Sequence, residues 1–146
     1  MANINRDYLV TLDVKTSSDR TLKENIEYLH YDNMNNQART TNNITTSACL
    51  DFITNDYLLA TYNYKNDEEK KTKLSAVAQD LLVNQDGTDN VIGNLIVECE
   101  DAVGEQGTLT MNQAQLVNVL VGAVQELSKQ VKQQQELIDT LLNKQN

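Results

Sequence analysis

Apolar side chains recur every three and four residues near the C-terminus: Val117, Leu120, Val124, Leu127, Val131, Ile138 and Leu141, with Gln134 in the one remaining slot. This is a heptad seam, and helix formers such as Gln125, Glu126, Lys129, Lys132 and Glu136 fill the outward positions. Thr110 and Gln113 read as a capping box, so the pattern predicts a helix over residues 110–143. At ~1.5 Å per residue such a helix is about 50 Å long, more than a small domain can cover. Further copies of the chain are therefore the expected partners along the seam, and a helix folded back on its own domain is the competing expectation.

The rest of the chain is shorter in period. Residues 7–15 alternate, with Tyr8, Val10, Leu12 and Val14 on one face, which predicts a strand. A polar break at residues 16–19 follows, then Leu22, Ile26 and Leu29 at helical or mixed spacing. Residues 31–47 are mostly Asp, Asn, Gln and Thr with little beyond Met34 and Ile44 to bury, so they read as a protruding arm. A short helix is expected over residues 48–57, a strand over 58–65 and a helix over 76–82. Asp86 and Gly87 mark a turn, and the β-branched run Val91-Ile92-Gly93-Asn94-Leu95-Ile96-Val97 predicts a buried strand. The expected fold class is α+β: a small mixed head with an arm and a long C-terminal helix forming a coiled coil.

Composition narrows the functions open to this pattern. A net charge of -9 over 146 residues argues against nucleic acid and anionic membranes as partners, because both require clustered Lys and Arg. No apolar run approaches the ~20 residues of a membrane span, and the N-terminus lacks a signal-peptide layout. Cys49 and Cys99 have no CxxC or His partner at ligand spacing, so two unpaired buried thiols are expected, with no metal or cofactor. There is no Gly-rich phosphate loop, and His30, the one histidine, is read as structural.

What remains is Ser18-Asp19-Arg20-Thr21-Leu22-Lys23, a hydroxyl and an amine five residues apart. Lysine activates a serine where burial leaves the amine neutral part of the time. On an ideal helix this spacing holds the two apart, so they meet only if Ser18 lies in an extended segment before the helix. The other reading has Ser18 as an N-cap, Asp19 favouring the positive helix end and Lys23 exposed.

The chain from Ser18 onward resembles a known family. Ser18-Asp-Arg-Thr-Leu-Lys-Glu-Asn-Ile26 is similar to the SDRRLKENI opening of the intramolecular chaperone domain at the C-termini of bacteriophage endosialidases, tail fibres, tailspikes and neck appendages. Thr61-Tyr62-Asn63-Tyr64-Lys65 looks like that family's YxWK-type strand, Ala76-Val77-Ala78-Gln79-Asp80 like its GxIAQE helix start, and residues 116–127 like its LVALLIEAVKEL helix. Ser75 stands where the family has Gly, and the arm matches no family motif.

The resemblance implies an autoprotease domain over residues 18–146, with a head over 18–109 and the coiled coil over 110–143, preceded by the end of a β-rich fibre in residues 1–17. It implies a homotrimer that assists folding of that fibre and then cuts the Ser17–Ser18 bond once, with Ser18 as nucleophile and Lys23 as general base. It further implies synthesis in a host bacterial cytoplasm and a parent protein in the virion. A non-cleaving trimerisation cap is the alternative, and a coiled-coil adaptor for a foreign protein a weaker one.

Overall fold

A computed structural model describes residues 17–29, 44–100 and 107–145. The strand expected over residues 7–15, His30 and most of the arm lie outside the described residues. The chain is mixed α+β with small two-stranded sheets and a long C-terminal helix.

A 3-10 turn at Arg20–Leu22 comes first. Helix α1, Thr46–Asp51, runs on into a π-turn, Phe52–Asp56, close to the expected residues 48–57. Its N-cap is Thr45, whose hydroxyl accepts from the Ala48 amide at 3.0 Å, so the arm expected to reach residue 47 gives way to helix earlier. Strand β1, Ala60–Tyr62, is the centre of the strand expected over 58–65; it pairs antiparallel with β2, Lys73–Ser75. Helix α2, Ala78–Leu82, ends in a turn where Gly87 takes φ 86°, a backbone conformation open to glycine at little cost. Helix α3, Val91–Ile96, leads directly into β3, Val97–Glu100, which pairs antiparallel with β4, Thr108–Met111. Helix α4, Gln113–Lys144, completes the order.

Two expectations are corrected here. Residues 91–97 are a helix followed by the first residue of a strand, where a buried strand was expected. The Asn90 carboxamide oxygen accepts from the Gly93 amide at 2.8 Å and starts α3, and burial follows helical spacing, with Ile92, Gly93 and Ile96 inside and Val91, Asn94 and Leu95 outside. Packing against α2 overrides the β preference of Val and Ile. Second, Thr110 is a strand residue opposite Glu98, and the cap of α4 is Asn112, whose side chain accepts from the Gln115 amide at 3.1 Å. The capping oxygen sits where strand β4 ends.

The core gathers Cys49, Phe52, Ala76, Leu81, Ile92, Ile96, Val97, Val119 and Ala123, so every head helix contributes to it. Fully burying a side chain the size of Phe52, Leu81 or Ile96 is worth roughly 1.5–3 kcal/mol. Helix α4 docks along α1 through Val119, Gly122 and Ala123, and a Cβ at Gly122 would come within 2.9 Å of the Cys49 sulfur. At the same crossing the buried Glu126 accepts from the Thr46 hydroxyl at 2.9 Å. Asn90, also buried, donates to Asp56 at 3.0 Å and to Asn84 at 2.9 Å, binding the turn after α2 to the end of the π-turn. Cys49 is buried as expected, whereas Cys99, paired with Leu109 two residues beyond the buried Val97, is exposed where burial was expected.

Gly93 marks the tightest contact, since a Cβ built there would run into the Leu81 carbonyl. Gly93→Ala, which in an open helix would gain about 1 kcal/mol, is expected to destabilise the head by about 3 kcal/mol or more. Thermal unfolding followed by circular dichroism checks this: a melting temperature at or above that of the parent chain would mean that α2 and α3 can move apart freely.

Candidate functional site

The N-terminal constellation forms around the 3-10 turn. Its cap is Asp19, not Ser18: one carboxylate oxygen accepts from the Thr21 hydroxyl at 2.7 Å and from the Thr21 amide at 2.8 Å. The hydroxyl bond, with the amide bond behind it, holds the Asp19 carboxyl below the usual carboxylate range, because both favour the charged form. Ser18, relieved of capping, precedes the turn and is free to meet another partner.

That partner is Lys23. Its Nζ donates to Ser18 Oγ at 2.6 Å, which brings together the two residues singled out from the sequence. An ideal α-helix would turn residues five apart by roughly 140°, and a short turn with Ser18 outside it removes that obstacle. The turn closes through Leu22 N to Asp19 O and Lys23 N to Arg20 O, both 3.1 Å. Leu22 alone of the expected helical set Leu22, Ile26 and Leu29 lies in a helical turn; beyond it Asn25 takes φ 51° and the chain turns back. Arg20 Nη2 then donates to the Tyr28 hydroxyl at 2.6 Å, a contact with no periodic signal in the sequence. Ser17 and Ser18 lie next to each other in exposed chain, and Lys23 is exposed too.

An ammonium at this distance donates to the serine oxygen. Once it loses a proton, the same contact reverses, and the amine can take the hydroxyl proton. The pair is a hydroxyl and an amine at hydrogen-bonding distance, the geometry that a nucleophile and its base would require.

No protein-family model and no curated protein matches the chain.

A second feature lies on α4. All seven apolar seam residues are solvent-exposed on the single chain, from Leu120 at 41% to Val124 at 64%, and Gln134 is exposed among them. Val121, Leu137 and Leu142 widen the stripe. The head covers a different side of the helix, through Val119, Gly122, Ala123 and Glu126, turned roughly a third of a turn from the seam at ~100° per residue. Helix α4 thus docks on its own head along one face and leaves the heptad face uncovered. Seam-flanking positions carry Leu116, Val121, Ala123, Ser128, Gln130, Gln135, Leu137 and Leu142, none of them charged.

Among the described residues no three His, Cys, Asp or Glu side chains group to hold a metal ion, and no helix is long and apolar enough to cross a membrane.

Proposed function

We propose that this chain is an intramolecular chaperone that promotes folding and trimerisation of a preceding phage fibre, spike or appendage segment and then releases itself by a single cut at Ser17–Ser18. The observation that carries the reading is the 2.6 Å contact between Lys23 Nζ and Ser18 Oγ, within a segment that resembles the family's opening motif.

The chemistry balances with the residues at hand. Neutral Lys23 takes the Ser18 hydroxyl proton while Oγ attacks the Ser17 carbonyl carbon, closing a small ring of Ser17 C and Ser18 N, Cα, Cβ and Oγ. The C–N bond breaks as the lysine returns the proton to the departing Ser18 nitrogen, leaving an ester between Ser17 and the Ser18 side chain. Water adds to that ester and the C–O bond breaks, giving a Ser17 carboxylate and a Ser18 with free hydroxyl and amino groups. The enzyme is its own substrate, so each chain turns over once.

A lysine works as a base where its surroundings are desolvated, and in a single chain Ser18 and Lys23 are exposed. The cover therefore comes from a neighbouring copy or from the preceding fibre, which ties the cut to assembly. The uncovered heptad face of α4 supports three-fold association, because the flanking Val121, Leu137 and Leu142 give each helix a broader apolar stripe than a two-stranded seam buries. In this reading the arm over residues 31–47 touches the fibre or a neighbouring subunit, the parent is made in the host cytoplasm and mature fibre remains in the virion. No cofactor, metal, nucleic acid or membrane takes part.

The exposure of the pair also favours the second reading, a trimerisation cap that stays attached, with Lys23 and Ser18 as a surface hydrogen bond. A denaturing gel and intact mass of the freshly made chain separate the two. Fragments ending at Ser17 and starting at Ser18 are expected; a chain that stays whole under conditions where it is assembled would remove the protease reading.

A further inference from the structure

Among the described residues the Lys23 ammonium makes no second hydrogen bond to hold it against Ser18, and its stem lies in a loop open to water. A long lysine side chain loses much rotamer entropy when fixed, so an exposed contact of this kind needs a backbone that brings its ends together beforehand. The local geometry supplies one. Asp19 closes the turn from one side through Thr21, Asn25 at φ 51° sends the chain back, and Arg20 bonds Tyr28 across eight residues at 2.6 Å. Lys23 sits between the two ends of that last bond in the chain.

We infer that the Arg20–Tyr28 hydrogen bond is a latch that positions Lys23 on Ser18, making Arg20 and Tyr28 positioning residues for the cut at Ser17–Ser18. The inference rests on the self-cleavage reading and adds a residue, Tyr28, that lies beyond the motif by which the segment resembles its family. Neither group touches the reacting atoms. Their effect passes through the loop: with the latch closed, residues 20–28 form a closed ring of chain in which the Lys23 stem starts from a fixed point. With it open, the loop loses the contact that helps hold Asn25 in its left-handed conformation, and it relaxes away.

The test follows cleavage by intact mass over time and, in the uncut fraction, the acylation of Lys23 by a succinimidyl ester relative to that of Lys132 on exposed α4. Tyr28→Phe removes only the hydroxyl, and Arg20→Gln only the charged fork. Each is expected to slow cleavage about tenfold or more, the scale of a misplaced catalytic group, and to raise Lys23 labelling severalfold. The double variant should be no slower than the worse single one, because both delete one bond. Arg20→Lys, which keeps a donor, should recover part of the rate. Cleavage at the parent rate in Tyr28→Phe would overturn the latch, as would slower cleavage with unchanged Lys23 labelling. Were the parent chain itself uncut, the self-cleavage reading would fall, and the labelling alone would decide whether the latch holds Lys23.

Discussion

Lys23→Ala should leave the chain whole at Ser17–Ser18, and Ser18→Ala should do the same for a different reason. In the proposed mechanism, removing the lysine takes away the group that accepts the hydroxyl proton, and general-base assistance of this kind is worth about 10²–10⁴ in rate. Removing the serine oxygen takes away the atom that forms the ester, so no slower version of the same path remains. Both variants should fold as the parent does. Asp19 rather than Ser18 caps the turn, the core contains neither residue, and both are exposed. Intact mass at timed intervals, with circular dichroism as the folding control, reads both effects. A Lys23→Ala chain cut as fast as the parent would show that the 2.6 Å contact is not the catalytic one.

The second large effect concerns assembly. Light scattering on the purified chain is expected to give a trimer at micromolar concentration. Val117, Val124, Val131 and Ile138 alternating with Leu120, Leu127 and Leu141 would by themselves favour two strands, so the seam alone points the other way. In the proposed reading the flanking apolar residues and Gln134 favour three. Around a three-fold axis the Gln134 amides meet their own copies and can bond one another; set against an apolar layer, each would cost roughly 1–3 kcal/mol. Gln134→Leu should therefore raise the melting temperature while loosening the choice of oligomer. A monomer or dimer mass for the parent chain would overturn the trimer and weaken the chaperone reading with it.

Periodic features were legible in the chain, and features made by a few tertiary contacts were not. The heptads of α4 extend over the whole helix, so its existence was plain, but its start was misplaced at Thr110 because Thr serves a cap and a strand equally well; pairing with Glu98 settled it. Residues 91–97 were misread because β-branched side chains suit a strand until Asn90 caps them and Gly93 lets the helix lie against the Leu81 backbone. Strand β2 has three residues and no alternation long enough to see. At the site, Ser18 and Lys23 were singled out by residue type and spacing, their roles came only from the resemblance, and the two lie in contact. Asp19 was placed at the helix end but not as the cap itself, and Tyr28 was missed, since eight residues of irregular chain leave no pattern to read.

The contact between Gly122 and Cys49 bears on how the head opens. The thiol lies against the helix that would have to leave before anything could reach it, and burial pushes its pKa up, which further slows its chemistry. Cys99, which is exposed, has no such shelter. The two sulfurs therefore keep different time: one reacts at the rate set by reagent, the other only as often as α4 lifts from α1. The chain thus carries, in a single pair of thiols, both a clock and its reference for the parting of α4 from the head.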